Sequence, residues 1–223
     1  MNIIILHGLY MHGVVMKPLS QKLRKLGYQT HVVSYNTVAI EDTRVFEAID
    51  HAIDPEQTNI LVGHSLGGLM IKHYLKARQP STQLVSHVIA VGSPLKGASI
   101  AVQLQKIGLG AILGNATLFG LNYHDDVWQH PQKLGSIAGT LPFGFRPLLL
   151  GGQLMSDGTV AVSETRIDGM TDHIETANTH TSMLYRSDIA TQIDHFIRHD
   201  CFNHQGTAHK KSAHHAVSAF RNK

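Results

Sequence analysis

The sequence feature with the clearest chemical meaning is residues 63–67 (Gly-His-Ser-Leu-Gly), where a serine stands between two glycines in a Gly-x-Ser-x-Gly pattern. The short apolar run 59–62 precedes it and a helical pattern over 65–78 follows, which predicts a sharp strand–turn–helix connection. In such a turn the glycines let strand and helix approach closely, and the serine hydroxyl projects away from the backbone. The spacing therefore predicts that Ser65 is a nucleophile. The alternative is a glycine-rich connection without a catalytic role.

A second motif, His-Gly at residues 7–8, directly follows the first predicted strand. A backbone amide in this loop and the amide after a nucleophile can together stabilise the negative oxygen of a tetrahedral intermediate. The expected donors to this oxyanion hole are the amides of Leu9 and Leu66. Tyr10 and Met11 are alternatives to Leu9, and the motif is also compatible with a simple turn.

With these two motifs the chain resembles the serine α/β-hydrolases, and most closely the small lipases and esterases. A third segment, residues 92–97 (Gly-Ser-Pro-Leu-Lys-Gly), looks like the Gly-Thr-Pro-x-x-Gly stretch of many lipases. In those proteins the stretch follows the next strand after the turn that carries the nucleophile. The resemblance covers nearly all of residues 1–200. It implies an α/β-hydrolase fold, a mostly parallel sheet flanked by helices with a lid-like insertion. The first strand begins at residue 2, so the resemblance is to a minimal core that lacks the first two strands of the full fold.

The resemblance also implies a catalytic acid, because this family places nucleophile, acid and base in that chain order. Carried over to this sequence, the acid is Asp157, in residues 156–160 (Ser-Asp-Gly-Thr-Val), after a predicted strand that ends near Leu150. An Asp-Gly pair is also common in ordinary turns. The alternative acids are Glu164, Asp168 and Asp172.

The implied base is His180, in residues 178–181 (Asn-Thr-His-Thr), between the last predicted strand and the closing helix. His173, at the start of that strand and further from the nucleophile, is the alternative. With 17 histidines in the chain, position rather than residue type selects His180. In the implied mechanism Ser65 attacks an acyl carbon, His180 takes and returns the proton, and Asp157 orients the imidazole.

Strands and helices alternate along most of the chain, which predicts parallel βαβ units and an α/β fold. Strands are predicted at residues 2–6, 28–35, 59–62, 84–91, 146–150 and 173–177. Helices are predicted at residues 18–26, 43–53, 65–78 and 185–197.

The alternation breaks at about residues 97–144, which we expect to form a lid-like insertion above the strand ends. Side chains expected to contact substrate are Tyr10, His64, Leu113 and Phe119. The alternatives are that the insertion only packs onto the core, or that residues 98–121 dock on a membrane surface.

The size of 223 residues, 43% of them hydrophobic, suits one domain at residues 1–200. Residues 201–223 are predicted to be a flexible, basic, His-rich tail, whose four basic side chains account for the formal charge of +3. The remaining 15 basic and 16 acidic side chains argue against nucleic-acid binding. One cysteine argues against a disulfide framework.

We expect no signal peptide and a cytoplasmic location, because the N-terminus has no basic segment ahead of a long apolar run.

Metal and cofactor chemistry has little support in the sequence. His195 and His199 have an i, i+4 spacing that suits zinc, but no catalytic glutamate or third ligand accompanies them. No glycine-rich loop follows a strand in the pattern that binds nucleotides. We therefore expect a cofactor-free serine hydrolase that acts on small-molecule carboxylic esters. A thioesterase or amidase with the same triad, or a non-catalytic binding protein on the same fold, are the alternatives.

Overall fold

The computed structural model describes residues 1–121, 127–150 and 154–205. Within them, six strands form one sheet in the order β2-β1-β3-β4-β5-β6, and every neighbouring pair is parallel. The strands are β1 (Asn2–Leu6), β2 (Gln29–Val33), β3 (Asn59–His64), β4 (Val85–Val91), β5 (Lys133–Gly139) and β6 (Asp172–Thr176). The predicted α/β class with a parallel sheet is confirmed.

Helices cover both faces of the sheet, as they must when parallel strands are joined by crossovers. They are α1 (Lys17–Lys25), α2 (Asp42–Ala52), α3 (Leu66–Arg78), α4 (Ser99–Lys106), α5 (Phe145–Leu150) and α6 (Ser187–His199). Short 3-10 turns lie at Gly13–Met16, Gly110–Phe119, Val162–Thr165 and Ser182–Leu184. Ile4 and Leu6 face the core under α2 and α3, whereas Ile3 and Ile5 face the core under α1 and α6.

All strands of this sheet end at the same edge, so the loops that follow them meet there. The chain passes from β1 to β2 on one side and then to β3 on the other, which makes the end of β1 and β3 a topological switch point. Open parallel sheets bind their ligands in the crevice at such a point. The predicted nucleophile, acid and base all lie in loops at this edge.

The prediction for residues 97–150 was wrong in two places. A core strand, β5, occupies 133–139 inside the predicted insertion, and the predicted strand 146–150 is the helix Phe145–Leu150. A Cβ on Gly135 in β5 would lie 2.8–2.9 Å from ring atoms of Phe202 and Phe196. Small residues are required in β5 because aromatic rings pack directly on it, and this lowers its apparent strand propensity. The insertion therefore ends before β5, at about residue 132.

Two sets of hydrogen bonds attach the insertion to the body of the protein. The Asn115 side chain accepts from the amide of Ile40 at 2.7 Å and donates to its carbonyl at 2.8 Å. At the start of the insertion, the amide and hydroxyl of Ser99 both donate to the buried Glu164 carboxylate. Arg146 pairs with the same carboxylate at 3.4 Å. The insertion thus rests on the core rather than standing away from it.

The predicted boundary at residue 200 was also wrong. Phe202 is only 2% exposed, and its ring stacks on that of Phe196 with 4.8 Å between centroids. Its amide donates to Asp172 at 2.6 Å. The folded domain therefore extends past the predicted start of the tail, and residues 206–223 lie outside the described residues. None of the helices in the described part of the chain is long and apolar enough to cross a bilayer.

Replacing Phe202 by alanine should lower the free energy of unfolding by about 3 kcal/mol, because a buried aromatic ring and its contact with Phe196 are lost. Urea denaturation of the two proteins measures this difference. The neighbouring Cys201 is exposed, so Cys201→Ala is the matched control and should be nearly neutral. Equal stabilities for Phe202→Ala and wild type would mean that the ring does not hold the chain end in place.

Candidate active site

Ser65 has a strained backbone conformation at the junction of β3 and α3. Its φ of 54° and ψ of −121° lie in a region that residues with a side chain rarely adopt. The Ser65 amide donates to the carbonyl of Val91 at 3.0 Å, which holds the turn against the end of β4. Helix α3 begins at the next residue, so the serine stands at the tip of the predicted strand–turn–helix connection.

Glycines make this turn possible. A Cβ on Gly63 would lie 2.4 Å from the amide nitrogen of Gly68, and one on Gly67 would lie 2.5 Å from the carbonyl oxygen of Leu6. Any side chain at these two positions would force the strand and helix apart. The steric role predicted for them from the motif agrees with these distances.

Asp157 and His180 form a buried hydrogen-bonded pair. Nδ1 of His180 lies 2.7 Å from Oδ2 of Asp157, and these residues are 8% and 1% exposed. The other carboxylate oxygen accepts from the amides of Thr159 and Val160 at 2.9 and 2.7 Å. The His180 amide also donates to the Asp157 carbonyl at 2.8 Å. The loops that carry the predicted acid and base are therefore hydrogen-bonded to each other, and within the described ranges Nε2 of His180 has no hydrogen-bond partner.

This pair lies beside the Ser65 turn. A Cβ on Gly92, the residue after β4, would lie 3.1 Å from Oδ2 of Asp157 and 3.3 Å from Nδ1 of His180. The His180 ring packs against the ring of His64, the residue before the serine, with 4.6 Å between centroids. Among the described residues, no hydrogen bond joins the Ser65 hydroxyl to His180. Catalytic hydrogen bonds are often loose in proteins without substrate and tighten when it binds.

The alternative acids and the alternative base have other partners. Glu164 binds Ser99 and Arg146 as described above. Asp172 accepts from the amide of Phe202, and Asp168 is exposed. His173 pairs through Nε2 with the Thr165 hydroxyl at 2.9 Å. In the part of the chain that the structure describes, none of these four side chains is hydrogen-bonded to Ser65 or His180.

The His-Gly loop lies directly against the serine. A Cβ on Gly8 would lie 2.8 Å from Cβ of Ser65. Nε2 of His7 accepts from the amide of Tyr35 at 3.2 Å, so Nδ1 carries the proton and donates to the Gly8 carbonyl at 3.0 Å. Because N–H and C=O point in opposite directions across a trans peptide, this bond turns the amide of Leu9 away from His7.

The four candidate amides of the oxyanion hole differ in their partners. Those of Tyr10 and Met11 already donate to protein oxygens at 3.0 and 3.3 Å. Within the described residues, the amides of Leu9 and Leu66 have no protein acceptor. The amides of Leu9 and Leu66 therefore stay the predicted donors to the oxyanion hole.

The predicted substrate contacts Tyr10, Leu113 and Phe119 lie in three different surroundings. Tyr10 is exposed in the loop after β1, at the edge that carries Ser65. Leu113 is 3% exposed in the core cluster that contains Leu66. Phe119 instead packs against His73, halfway along α3, with 5.5 Å between ring centroids.

The prediction that His64 contacts substrate was wrong. Its side chain is fully buried, and Nε2 lies 3.0 Å from the backbone carbonyl oxygen of His180. Burial, followed by the nearby His180, lowers the pKa of His64 to about 3, so its ring is neutral. Successive residues of a strand point to opposite faces. The side chain of His64, at the end of β3, is therefore not expected to point in the same direction as that of Ser65, the predicted nucleophile.

The histidine pair at i, i+4 in α6 lies away from this site. The rings of His195 and His199 are 4.5 Å apart, and Nδ1 of His195 lies 2.8 Å from the carbonyl oxygen of Cys201. Across the described ranges, no group of three or more His, Cys, Asp or Glu side chains is arranged to hold a metal ion.

Comparisons with known proteins agree with this architecture. The sequence model of the lecithin:cholesterol acyltransferase family matches residues 16–118, which include Ser65 but neither Asp157 nor His180. No curated protein matches the chain.

Similar solved structures include a Bacillus licheniformis lipase in mature form, with 20% identity, 88% of this chain and 90% of the other covered, and a TM-score of 0.63. A metagenomic carboxyl esterase has 15% identity, coverage of 82% and 65%, and a TM-score of 0.62. The thioesterase domain of NocB from a nocardicin cluster has 18% identity, coverage of 86% and 91%, and a TM-score of 0.54. The chain therefore has the α/β-hydrolase fold, and the resemblance drawn from its motifs is confirmed at the level of the fold.

The partly buried His173 predicts a loss of stability in mild acid. Burial and then the charge of Arg166 lower the pKa of His173 to about 4, whereas an unfolded histidine has a pKa near 6.5. Between these values the unfolded chain binds more protons than the folded one, so stability falls as the pH drops from about 6.5 towards 4. His173→Gln removes this titration, and its melting temperature should depend less steeply on pH. The exposed His51 provides the control, and equal slopes for His173→Gln, His51→Gln and wild type would contradict the prediction.

Proposed function

We propose that this protein is a serine hydrolase that cleaves carboxylic esters through an acyl-enzyme formed on Ser65. The observation that carries the proposal is the buried Asp157–His180 pair beside a serine in a strained strand–turn–helix junction. A carboxylate bonded to Nδ1 of an imidazole fixes the tautomer whose Nε2 accepts a proton. This is the arrangement that makes a neighbouring hydroxyl a nucleophile at neutral pH.

The first half of the reaction forms the acyl-enzyme. Oγ of Ser65 bonds to the acyl carbon while its proton passes to Nε2 of His180, and the carbonyl electron pair moves onto oxygen. When this tetrahedral intermediate collapses, the bond to the leaving alkoxide breaks, and His180 returns the proton to it. Asp157 stabilises the transient imidazolium without taking its proton.

The second half repeats these steps with water. His180 takes a proton from water, the hydroxyl oxygen bonds to the acyl carbon, and the Ser65 ester bond breaks with return of the proton to Oγ. In both halves the free amides of Leu9 and Leu66 are proposed to bind the oxyanion. Such donors stabilise charge that exists only in the intermediate and the transition states around it.

The proposed substrates are small-molecule acyl esters, whose acyl chain reaches Leu113 and whose entry passes Tyr10 at the rim. The lipase and esterase among the structural neighbours support this class. A thioesterase with the same triad is the second candidate, because a thioesterase domain has the same fold. Esters and thioesters of one acyl group share the acyl-enzyme, so they differ only in the leaving group.

The first test labels the nucleophile and measures its turnover. A fluorophosphonate should modify Ser65 in the wild-type protein, and the protein should hydrolyse p-nitrophenyl esters. Ser65→Ala should block labelling and lower kcat by about 10⁴-fold or more while leaving the protein folded. Matched acyl thioesters in the same assay distinguish the second candidate. A wild-type protein that is neither labelled nor active on either series would indicate a non-catalytic binding protein.

Asp157→Asn should lower kcat by about 10⁴-fold, because an amide can bond to the wrong tautomer of His180 and does not stabilise its positive charge. Steady-state ester hydrolysis measures the effect. The matched control is Asp168→Asn, an alternative acid whose side chain is exposed, and it should keep wild-type kcat. If the two variants behave in the opposite way, the acid has been assigned to the wrong loop.

A further inference from the structure

His64 makes an unusual set of contacts behind the proposed base. It is fully buried, and its ring packs against the His180 ring at a tilt of 46°. Its Nε2 lies 3.0 Å from the backbone carbonyl oxygen of His180. A carbonyl oxygen can only accept, so Nε2 of His64 carries the proton and donates it. In the described residues Nδ1 of His64 is buried without a hydrogen-bond partner.

The His64 bond completes the set of restraints on His180. Two of them come from the acid, because the His180 amide donates to the Asp157 carbonyl and its Nδ1–H donates to the Asp157 carboxylate. Both of these hydrogen bonds run to the same residue, Asp157. The hydrogen bond from His64 instead holds the His180 carbonyl from the end of β3. The tilted His64 ring packs against the imidazole of His180 and restricts its rotation.

We propose that His64 is a positioning residue for the reaction proposed above: its Nε2–H and its ring set the His180 imidazole so that Nε2 faces Ser65. Because His64 directly precedes Ser65 in the chain, one short segment places both the nucleophile and the base. A displacement of about 1 Å in such a pair costs on the order of 10²-fold in rate. The inference rests on the proposed function and goes beyond it by assigning a residue that does not touch substrate.

Packing alone does not account for a histidine here. An aliphatic side chain would fill the same space without burying an unpartnered Nδ1, which is unfavourable in the protein interior. The titratable groups that face His64 are His180, Asp157 and His7. Since burial keeps its ring neutral, His64 adds no second positive charge when His180 becomes an imidazolium. The ring can therefore donate its hydrogen bond throughout the reaction.

Two amide substitutions separate the donor from the packing. In His64→Gln the side-chain nitrogen comes near the position of Nε2, whereas in His64→Asn it is one bond shorter and comes near Nδ1. We expect His64→Asn to lower kcat by about 10- to 100-fold with little change in KM, and His64→Gln to stay within a few-fold of wild type. The exposed His51 in α2 gives the control His51→Asn, which should match wild type.

Each outcome of this experiment decides the inference. Equal kcat values for His64→Asn and wild type, or equal losses in the Asn and Gln variants, would overturn it. A wild-type protein without ester or thioester turnover would overturn the proposed function itself, which is a different result. A shifted pH profile in a fully active His64→Gln would also overturn the inference, because it would show that His64 ionises during turnover.

A measurement on the unaltered protein keeps the inference testable if His64→Asn does not fold. Nitrogen-15 NMR of histidine-labelled wild type reports the tautomer and charge of each ring. We expect His64 to be neutral with its proton on Nε2 throughout pH 5–8. A neutral ring with its proton on Nδ1 would exclude the bond to the His180 carbonyl and overturn the inference. A charged ring in that range would overturn it as well, because His64 would then place a second positive charge beside His180.

Discussion

The close backbone approach at the end of β3 is the constraint on which the rest of the site depends. Strand β3, helix α3 and the loop after β1 meet where Gly8, Gly63 and Gly67 leave no Cβ between them. This contact holds Ser65 in a conformation that costs on the order of 1–3 kcal/mol. The apolar clusters on both faces of the sheet offset that strain, since they fix β3 and α3 independently of the serine.

A buried charge sets the second requirement of the structure. The Asp157 carboxylate lies away from water, where an unpaired charge would be costly, and it is satisfied by two amides and the His180 ring. The same loop gives its backbone to His180, and His64 holds His180 from the other side. The loop that carries Asp157 and the end of β3 therefore both hold His180, the predicted base.

A second buried carboxylate, that of Glu164, connects the insertion to the loop that carries Asp157. Glu164 follows Asp157 by seven residues and binds Ser99 at the start of the insertion, while Arg146 pairs with it. The amide of Arg146 donates to the carbonyl of Gly158 in the acid loop at 2.8 Å. The insertion and the loop that carries Asp157 therefore share one polar network. Removing either Arg146 or Glu164 would leave the other charge buried and unpaired, which is unfavourable.

The sequence by itself determined the fold class and the position of Ser65 in a strand–turn–helix connection. Strand–helix alternation and a glycine-flanked turn are both encoded within short stretches of chain. The family resemblance of the sequence also implied Asp157 and His180 through the chain order of that family. Because all strands of the parallel sheet end at one edge, the loops that carry these two residues lie close together. Only the tertiary structure identified β5, since its small residues are explained by Phe196 and Phe202, which come some 60 residues later and pack on it. The place of His64 was likewise decided by a loop 116 residues away. Local pattern determines which way a side chain points along a strand, but what covers that face depends on distant segments.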